Sequence, residues 1–328
     1  MYKIYLRLVY LIRRTISKLF VVLFDKPLLL PTNREQALIE ELKADFCELS
    51  GLESLKNQPI IEEAWLSYVS RLRELVMKHD PREFLRWKVI SKTMFVGNAE
   101  YIRKELRFLK SLQDWKNRWS NAIKESHIGH PPPFWLYPRS SGNLIHNAYH
   151  LAQFEKKTKM HISNINCVFE FGGGYGSMCR LFHNLNFHGK YVIFDLPHFC
   201  ALQRFFLRSI GLTVPSVDTF KKTKNGVVCI SNSEQLKTII PNHIELGNSM
   251  FIATWSMSET PVFLREDILS IIAKFDAFII GYQERFGEVN NKDFFNNWMN
   301  NQNNIKWYNW EIEHLPNNFY LMGKRISV

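Results

Sequence analysis

The sequence predicts an α/β protein: a doubly wound, mostly parallel sheet preceded by an N-terminal all-α cap. Three observations carry this prediction. Between residues 165 and 185 a short apolar strand runs through a glycine-rich turn into a helix. From there to residue 282, apolar runs of strand length alternate with helical patterns, as in successive βαβ units. Before it, from Pro31 to about Glu125, the periodicity is helical throughout. The 328 residues are 46% apolar and 22% charged, which suits a globular chain and excludes wholesale disorder.

Residues 1–24 place Ile4, Leu8, Leu11, Ile12, Ile16, Leu19, Phe20 and Leu23 at helical spacing, with Arg7, Arg14 and Lys18 elsewhere on the wheel. The longest unbroken apolar run, Leu19–Phe24, is far short of the ~20 residues of a membrane span. No small-residue cleavage site follows, so a signal peptide is not predicted. Six Lys and Arg stand against Asp25 alone in residues 1–31, a net +5 of the chain's +11. Two readings fit: a basic amphipathic helix on an anionic membrane surface, giving a cytoplasmic protein peripheral to the inner membrane face, or a helix packed on the rest of the protein or on a second copy of it. No nucleic-acid-binding motif accompanies the charge, so nucleic acid is not an expected partner. The five cysteines, an odd number without a CxxC pair, predict reduced buried thiols and no thiolate zinc site.

The cap, residues 31–127, reads as successive helices. The first spans Asn33–Leu49 with Asn33 as cap, and the next spans residues 60–79. Asp80-Pro81 then opens a third that runs to Phe95. Two more span about Ala99–Leu112 and Gln113–Lys124. The repeated Trp and Arg of 86–119 read as core anchors with surface arginines, or as a wall facing a sugar or phosphate. Residues 128–143, with four prolines and two glycines, form a long irregular segment. Leu144–Lys157 returns to a helix with His146 and His150 on one face. Residues 128–328 constitute the α/β domain.

Ile165–Phe169 is the first strand, and it leads into Glu170-Phe-Gly-Gly-Gly-Tyr-Gly176 and the helix Ser177–Leu185. Glycines allow positive φ and close approach of a ligand to the backbone. A dinucleotide site wants G-x-G-x-x-G. Gly172 and Gly174 satisfy it, but the third position is Ser177, which disfavours a nicotinamide dehydrogenase. An S-adenosylmethionine site uses the same turn with an acid at the strand end, here Glu170. Lys190–Asp195 is a second strand ending in a carboxylate placed to accept ribose hydroxyls; the alternative is that Asp195 caps the helix Phe199–Ile210.

The E-F-G-G-G-Y-G turn followed by Y-V-I-F-D-L-P resembles the class I S-adenosylmethionine-dependent methyltransferases. More narrowly it resembles the bacterial sugar O-methyltransferases encoded in surface-polysaccharide gene clusters. Asp80-Pro-Arg-Glu-Phe-Leu-Arg-Trp87, Ser140-Ser-Gly-Asn143 and Trp255-Ser-Met-Ser-Glu259 agree with the narrower resemblance. It implies a Rossmann-like seven-stranded sheet with S-adenosyl-L-methionine bound at the strand tips.

The remaining elements fit that sheet. Val227–Ser231, Met250–Thr254 and Ala277–Tyr282 read as further strands, and Glu234–Ile240, Val262–Ala273 and Asp293–Asn303 as helices. Ile305–Ile312 and Phe319–Ile326 read as a closing hairpin that places one antiparallel strand in the sheet. The cofactor-binding candidates are Glu170, Gly172, Gly173, Gly174, Tyr175, Gly176, Asp195, Leu196, Ser231, Asn232 and Trp255. The substrate-binding candidates are Ser256, Tyr149 and Gln283.

Methyl transfer to a hydroxyl needs alignment and a base. Glu259 is the first candidate, its alternative being a cap for the helix near Pro261. His146 is the second, matched to neutral pH, its alternative being an ordinary interface histidine. His198, just after Asp195-Leu-Pro, is expected to border adenine. No DD or DxD pair lies near the strand tips, so nothing supports a metal site. The expected activity is methylation of a sugar hydroxyl of a cell-surface glycan precursor. A methyltransferase of another small molecule, or an inactive S-adenosyl-binding scaffold at the membrane, is the alternative.

Overall fold

The structure, a computed structural model, describes residues 15, 16, 19, 20, 23, 27–49, 63–244 and 247–326. Most of the basic N-terminal helix expected over residues 1–24 therefore lies outside the described residues. Among the described residues no helix is long and apolar enough to cross a membrane.

Seven strands form the central sheet: β1 (Cys167–Phe171), β2 (Lys190–Phe194), β3 (Gly226–Ile230), β4 (Ser249–Thr254), β5 (Ala277–Gln283), β6 (Ile305–Glu311) and β7 (Asn318–Arg325). Their order is β6-β7-β5-β4-β1-β2-β3. β1 to β5 pair in parallel, and β7 runs antiparallel to both β5 and β6. This is the doubly wound, Rossmann-like sheet of class I type that the sequence led us to expect, with its single antiparallel strand.

The sheet is covered on both faces, and strand alternation sorts its residues between two cores. Val168, Tyr191, Ile193, Met250, Ile252 and Ile279 face one side; Phe169, Phe171, Val192, Phe194, Phe251 and Ile280 face the other. The first core is continuous with the N-terminal helices: α1 (Asn33–Glu48), α2 (Glu63–Lys78), α3 (Lys88–Thr93) and α4 (Ile102–Lys110). It also takes in α5 (Gly142–Thr158), α6 (Ser177–Asn184) and α7 (Pro197–Ser209). The second is closed by α8 (Val217–Lys222), α9 (Ser233–Ile244), α10 (Val262–Ile271) and α11 (Asn291–Asn300).

Local chemistry sets the element ends, with some differences from the sequence reading. Thr32, not Asn33, caps α1: its hydroxyl accepts from Glu35 N at 3.2 Å while Thr32 N donates to the Glu35 carboxylate at 2.8 Å, a reciprocal capping box. Asp80 caps as expected, accepting from Arg82 N at 2.9 Å. The turn it opens is a 3-10 segment, Pro81–Arg86, that breaks at Trp87 before α3. The helix expected over 113–124 is a π-turn, Trp115–Trp119, followed by Ser120–Ala122. Within the irregular segment, residues 133–134 and 137–141 form a small antiparallel ladder. Ser141 then caps α5, accepting from Leu144 N at 3.2 Å. β1 begins at Cys167, so Glu170 lies inside the strand and not on the turn. The sequence reading did not anticipate α8. All five cysteines are thiols; four are buried and Cys47 is exposed.

Candidate active site

The glycine turn leaves β1 at the sheet's switch point, where β1 pairs with β2 on one side and β4 on the other. Gly172 (φ +71), Gly174 (+58) and Gly176 (+94) occupy the left-handed region. At Gly172 a Cβ would also meet the Ser256 Cβ at 2.2 Å, so side chains are excluded there twice over. Gly172 N donates to Phe194 O at 2.8 Å, tying the turn to the end of β2.

Asp195 completes that tie. Its carboxylate accepts from Gly174 N at 3.1 Å, Leu196 N at 2.8 Å and Gln203 Nε2 at 2.9 Å. Asp195 is not the cap of α7, whose N-cap is Leu196 without a side-chain cap bond; it lines the cavity described below. Burial pushes its carboxyl up to about 7 against the lowering effect of those hydrogen bonds. Glu170 is more deeply placed, 3% exposed, and accepts from the Tyr191 hydroxyl at 2.8 Å. Burial pushes it up to about 8; the Tyr191 bond opposes this and the Asp195 charge adds to it.

A cavity of about 480 Å³ opens from this turn. Its lining includes Glu170, Gly172, Gly173, Gly174, Tyr175, Asp195, Leu196 and Ser231, together with Phe199 and Trp65, and also His146, His150, Tyr101, Trp255, Ser256, Glu259 and Asn318. Trp255 is tightly held in this lining. Its backbone sits at φ +65, a strained value for a bulky residue. It is held by Trp255 N donating to Gly281 O at 2.7 Å and by its indole N–H donating to Asn318 Oδ1 at 2.7 Å. Its ring stacks on His146 with centroids 5.7 Å apart at 25°. Ser256 donates to Phe171 O, fastening the segment after β4 to the end of β1.

His146 and His150 of the lining belong to a cluster of imidazoles. His146 Nδ1 lies 2.9 and 3.0 Å from the two oxygens of Glu105, which is 0% exposed. His314 Nε2 reaches the same carboxylate at 2.8 Å. Burial alone would raise Glu105, but the charge of His146 and the hydrogen bonds from both imidazoles outweigh it and hold Glu105 below the usual carboxylate range. His150 bonds the Tyr320 hydroxyl through Nδ1, and its buried Nε2 has no hydrogen-bond partner among the described residues. Burial, then the neighbouring charges of His146 and His314, lower His150 well below the ordinary imidazole value.

Four predicted site residues do not line this cavity. Gly176 lies beneath it as the N-cap of α6. Asn232 caps α9, its Oδ1 accepting from Glu234 N at 2.8 Å and Gln235 N at 3.1 Å. Tyr149 packs edge-on to Phe108 and His314. Gln283 accepts from the Ser258 hydroxyl at 2.7 Å. His198, expected beside adenine, is buried on α7 against Phe46 of α1. Burial lowers it to about 4.

Sequence reasoning missed Glu105, Asn143 and Met94. Asn143 joins the cap to the turn: its Nδ2 donates to Tyr175 Oη at 2.9 Å and Ser177 Oγ at 3.1 Å, and its Oδ1 accepts from Val96 N at 3.0 Å. Its place in the SSGN motif was the available signal. Met94 is the nearest neighbour that a Cβ on Gly174 would meet, at 3.2 Å. Among the described residues no group of three or more His, Cys, Asp or Glu is arranged to hold a metal ion.

Solved structures similar to this chain include several methyltransferases. An SAH-bound methyltransferase of Podospora anserina is 9% identical, with 73% of this chain and 92% of that one covered, at a TM-score of 0.36. A precorrin-6y C5,15-methyltransferase of Geobacter metallireducens is 10% identical, covering 57% and 89%, at 0.35. The 16S rRNA methylase ArmA is 13% identical, covering 68% and 98%, at 0.31. Likeness at this level says nothing about substrate. No protein-family model matches the chain, and no curated protein matches it.

Proposed function

We propose that the chain is an S-adenosylmethionine-dependent O-methyltransferase acting on a sugar hydroxyl of a cell-surface glycan precursor. One observation carries the catalytic part of this reading: a single cavity joins the glycine turn and Asp195 to a wall of Trp255, His146 and Glu259. The donor set fits the cofactor. Asp195 is a carboxyl group suited to hydroxyl groups, Glu170 is a second, more deeply buried carboxyl beside it, and Leu196, Phe199 and Trp65 offer apolar surface for a flat base. When bound, the cofactor supplies a methyl group activated on a sulfonium.

The chain's own residues supply the rest. Asp195 and the turn hold the nucleoside end. Trp255 and Tyr101 place aromatic side chains in the cavity lining, and this, with the sequence resemblance, supports a glycan acceptor. An acceptor oxygen that takes the methyl gives up its proton, and His146 and Glu259 are the candidate bases in the cavity lining. Binding to an anionic membrane surface through residues 1–24 is part of the proposal. It is supported by the +5 charge of residues 1–31 and the exposure of Ile16, Leu19 and Leu23. Deleting residues 1–24 should abolish co-sedimentation with anionic vesicles; unchanged sedimentation refutes that part.

The test of the main reading is a calorimetric titration with S-adenosylmethionine, S-adenosylhomocysteine and NAD, on the native chain and on Asp195→Ala. Binding of the first two alone, weakened about 10- to 100-fold by the substitution, is expected, since a hydrogen bond to a charged group contributes ~1.5–3 kcal/mol. Binding of NAD, or of no ligand, overturns it. Radiolabelled methyl transfer to nucleotide sugars, lipid-linked saccharides or RNA then identifies the acceptor.

A further inference from the structure

We infer that Glu105 is a positioning residue that holds His146 with its lone pair on Nε2, and that this makes His146, not Glu259, the proton acceptor. The inference rests on the methyl-transfer reading above. A carboxylate only accepts hydrogen bonds, so the ring nitrogen at 2.9 and 3.0 Å from its two oxygens must carry the hydrogen. His146 is therefore protonated on Nδ1. In the neutral ring the basic nitrogen is then Nε2, on a residue that lines the cavity.

The ring has little freedom to turn over. Trp255 stacks on one face, the Tyr101 ring lies 5.5 Å away at 58°, and His150 sits edge-on with centroids 4.1 Å apart. Glu105 is equally fixed, because His314 anchors Oε1 from the connection between β6 and β7. The titratable groups facing His146 are thus Glu105 on α4, Tyr101 just before it, His150 on α5 and His314 on that connection, with Glu259 also on the cavity wall. A wholly buried carboxylate is costly unless its partners hold it. Glu105 is not among the residues lining the cavity, so its effect must pass through the imidazoles. Glu259 lies at the end of a 3-10 turn, and carboxylates are in general weaker bases than neutral imidazoles.

Long-range proton–nitrogen spectra of protein labelled with ¹⁵N-histidine read the tautomer directly, with His146→Gln identifying the signal. The native chain should show His146 protonated on Nδ1 and unprotonated on Nε2 when neutral. Glu105→Leu, which removes the acceptor, should redistribute that proton while S-adenosylhomocysteine affinity stays within about two-fold, since Glu105 lies outside the cavity. His314→Gln should keep the native tautomer. A native His146 protonated on Nε2 overturns the inference, as does an unchanged tautomer in folded Glu105→Leu. If Glu105→Leu does not fold, the native spectrum and His314→Gln decide. Failure of S-adenosylhomocysteine to bind the native chain counts against the cofactor reading and leaves the tautomer result standing.

Discussion

The glycine-turn end and the imidazole end of the site are built in opposite ways: the first from neighbouring strands, the second from segments far apart in sequence. At the glycine turn, Glu170, Gly172, Gly174 and Asp195 come from two adjacent parallel strands and the loop between them. At the imidazole end, Glu105, His146 and His314 come from α4, α5 and the β6–β7 connection, separated by 41 and 209 residues in sequence. The turn is held by backbone geometry, and the imidazole end by side-chain hydrogen bonds between segments that only the fold brings together. A backbone-built site shows in glycine spacing; a side-chain site assembled across elements leaves little local trace. The two ends should therefore also fail differently when changed.

The largest effect is expected at the imidazole end. His146→Gln should lower methyl transfer by roughly 10²–10⁴-fold, the usual range for a general base, with little change in S-adenosylhomocysteine affinity. A parallel loss of affinity would show that the two ends are not separable. Next comes Gly172→Ala, where a positive φ and a Cβ 2.2 Å from the Ser256 Cβ act together. We expect a loss of about 1–3 kcal/mol from backbone strain alone, further destabilisation from the clash, and weakened cofactor binding. Gly211→Ala is the control, because its φ is +93 but its surroundings are open. Equal melting temperatures for the two variants would remove the close-packing argument.

The smallest effect concerns pH. Glu170 sits at about 8 in the folded chain, above its ordinary value of 4.5. Between those values the unfolded chain has released a proton that the folded chain keeps, so through this group stability falls as pH rises and levels off above about 8. Glu170→Gln removes that slope. Its melting temperature relative to the native chain should therefore climb from pH 5 to pH 8; a constant difference would mean that Glu170 is ionised in the fold. His150 and His198 are lowered by burial, so their contribution runs the other way, lost as pH falls below about 6.5. The comparison with the variant is needed to isolate Glu170.

The sequence by itself determined the strand order's ingredients: five buried apolar runs, each followed by a helix, then a hairpin. It also determined the turn, because positive φ at close quarters selects glycine and a tip carboxylate needs partners. Glu170 and Asp195 were legible for that reason. Glu105 was not, because a glutamate on an amphipathic helix looks like any solvated residue until the fold closes over it. Tyr149 and Gln283 sit near the site by their elements, but their side chains turn to packing and support. Likewise, Thr32 took the cap from Asn33 because the chain enters α1 one residue earlier, in reach of Glu35. Only tertiary structure decided which buried polar groups would face each other, since that depends on how α4 and the β6–β7 connection meet across the sheet and not on any spacing along the chain.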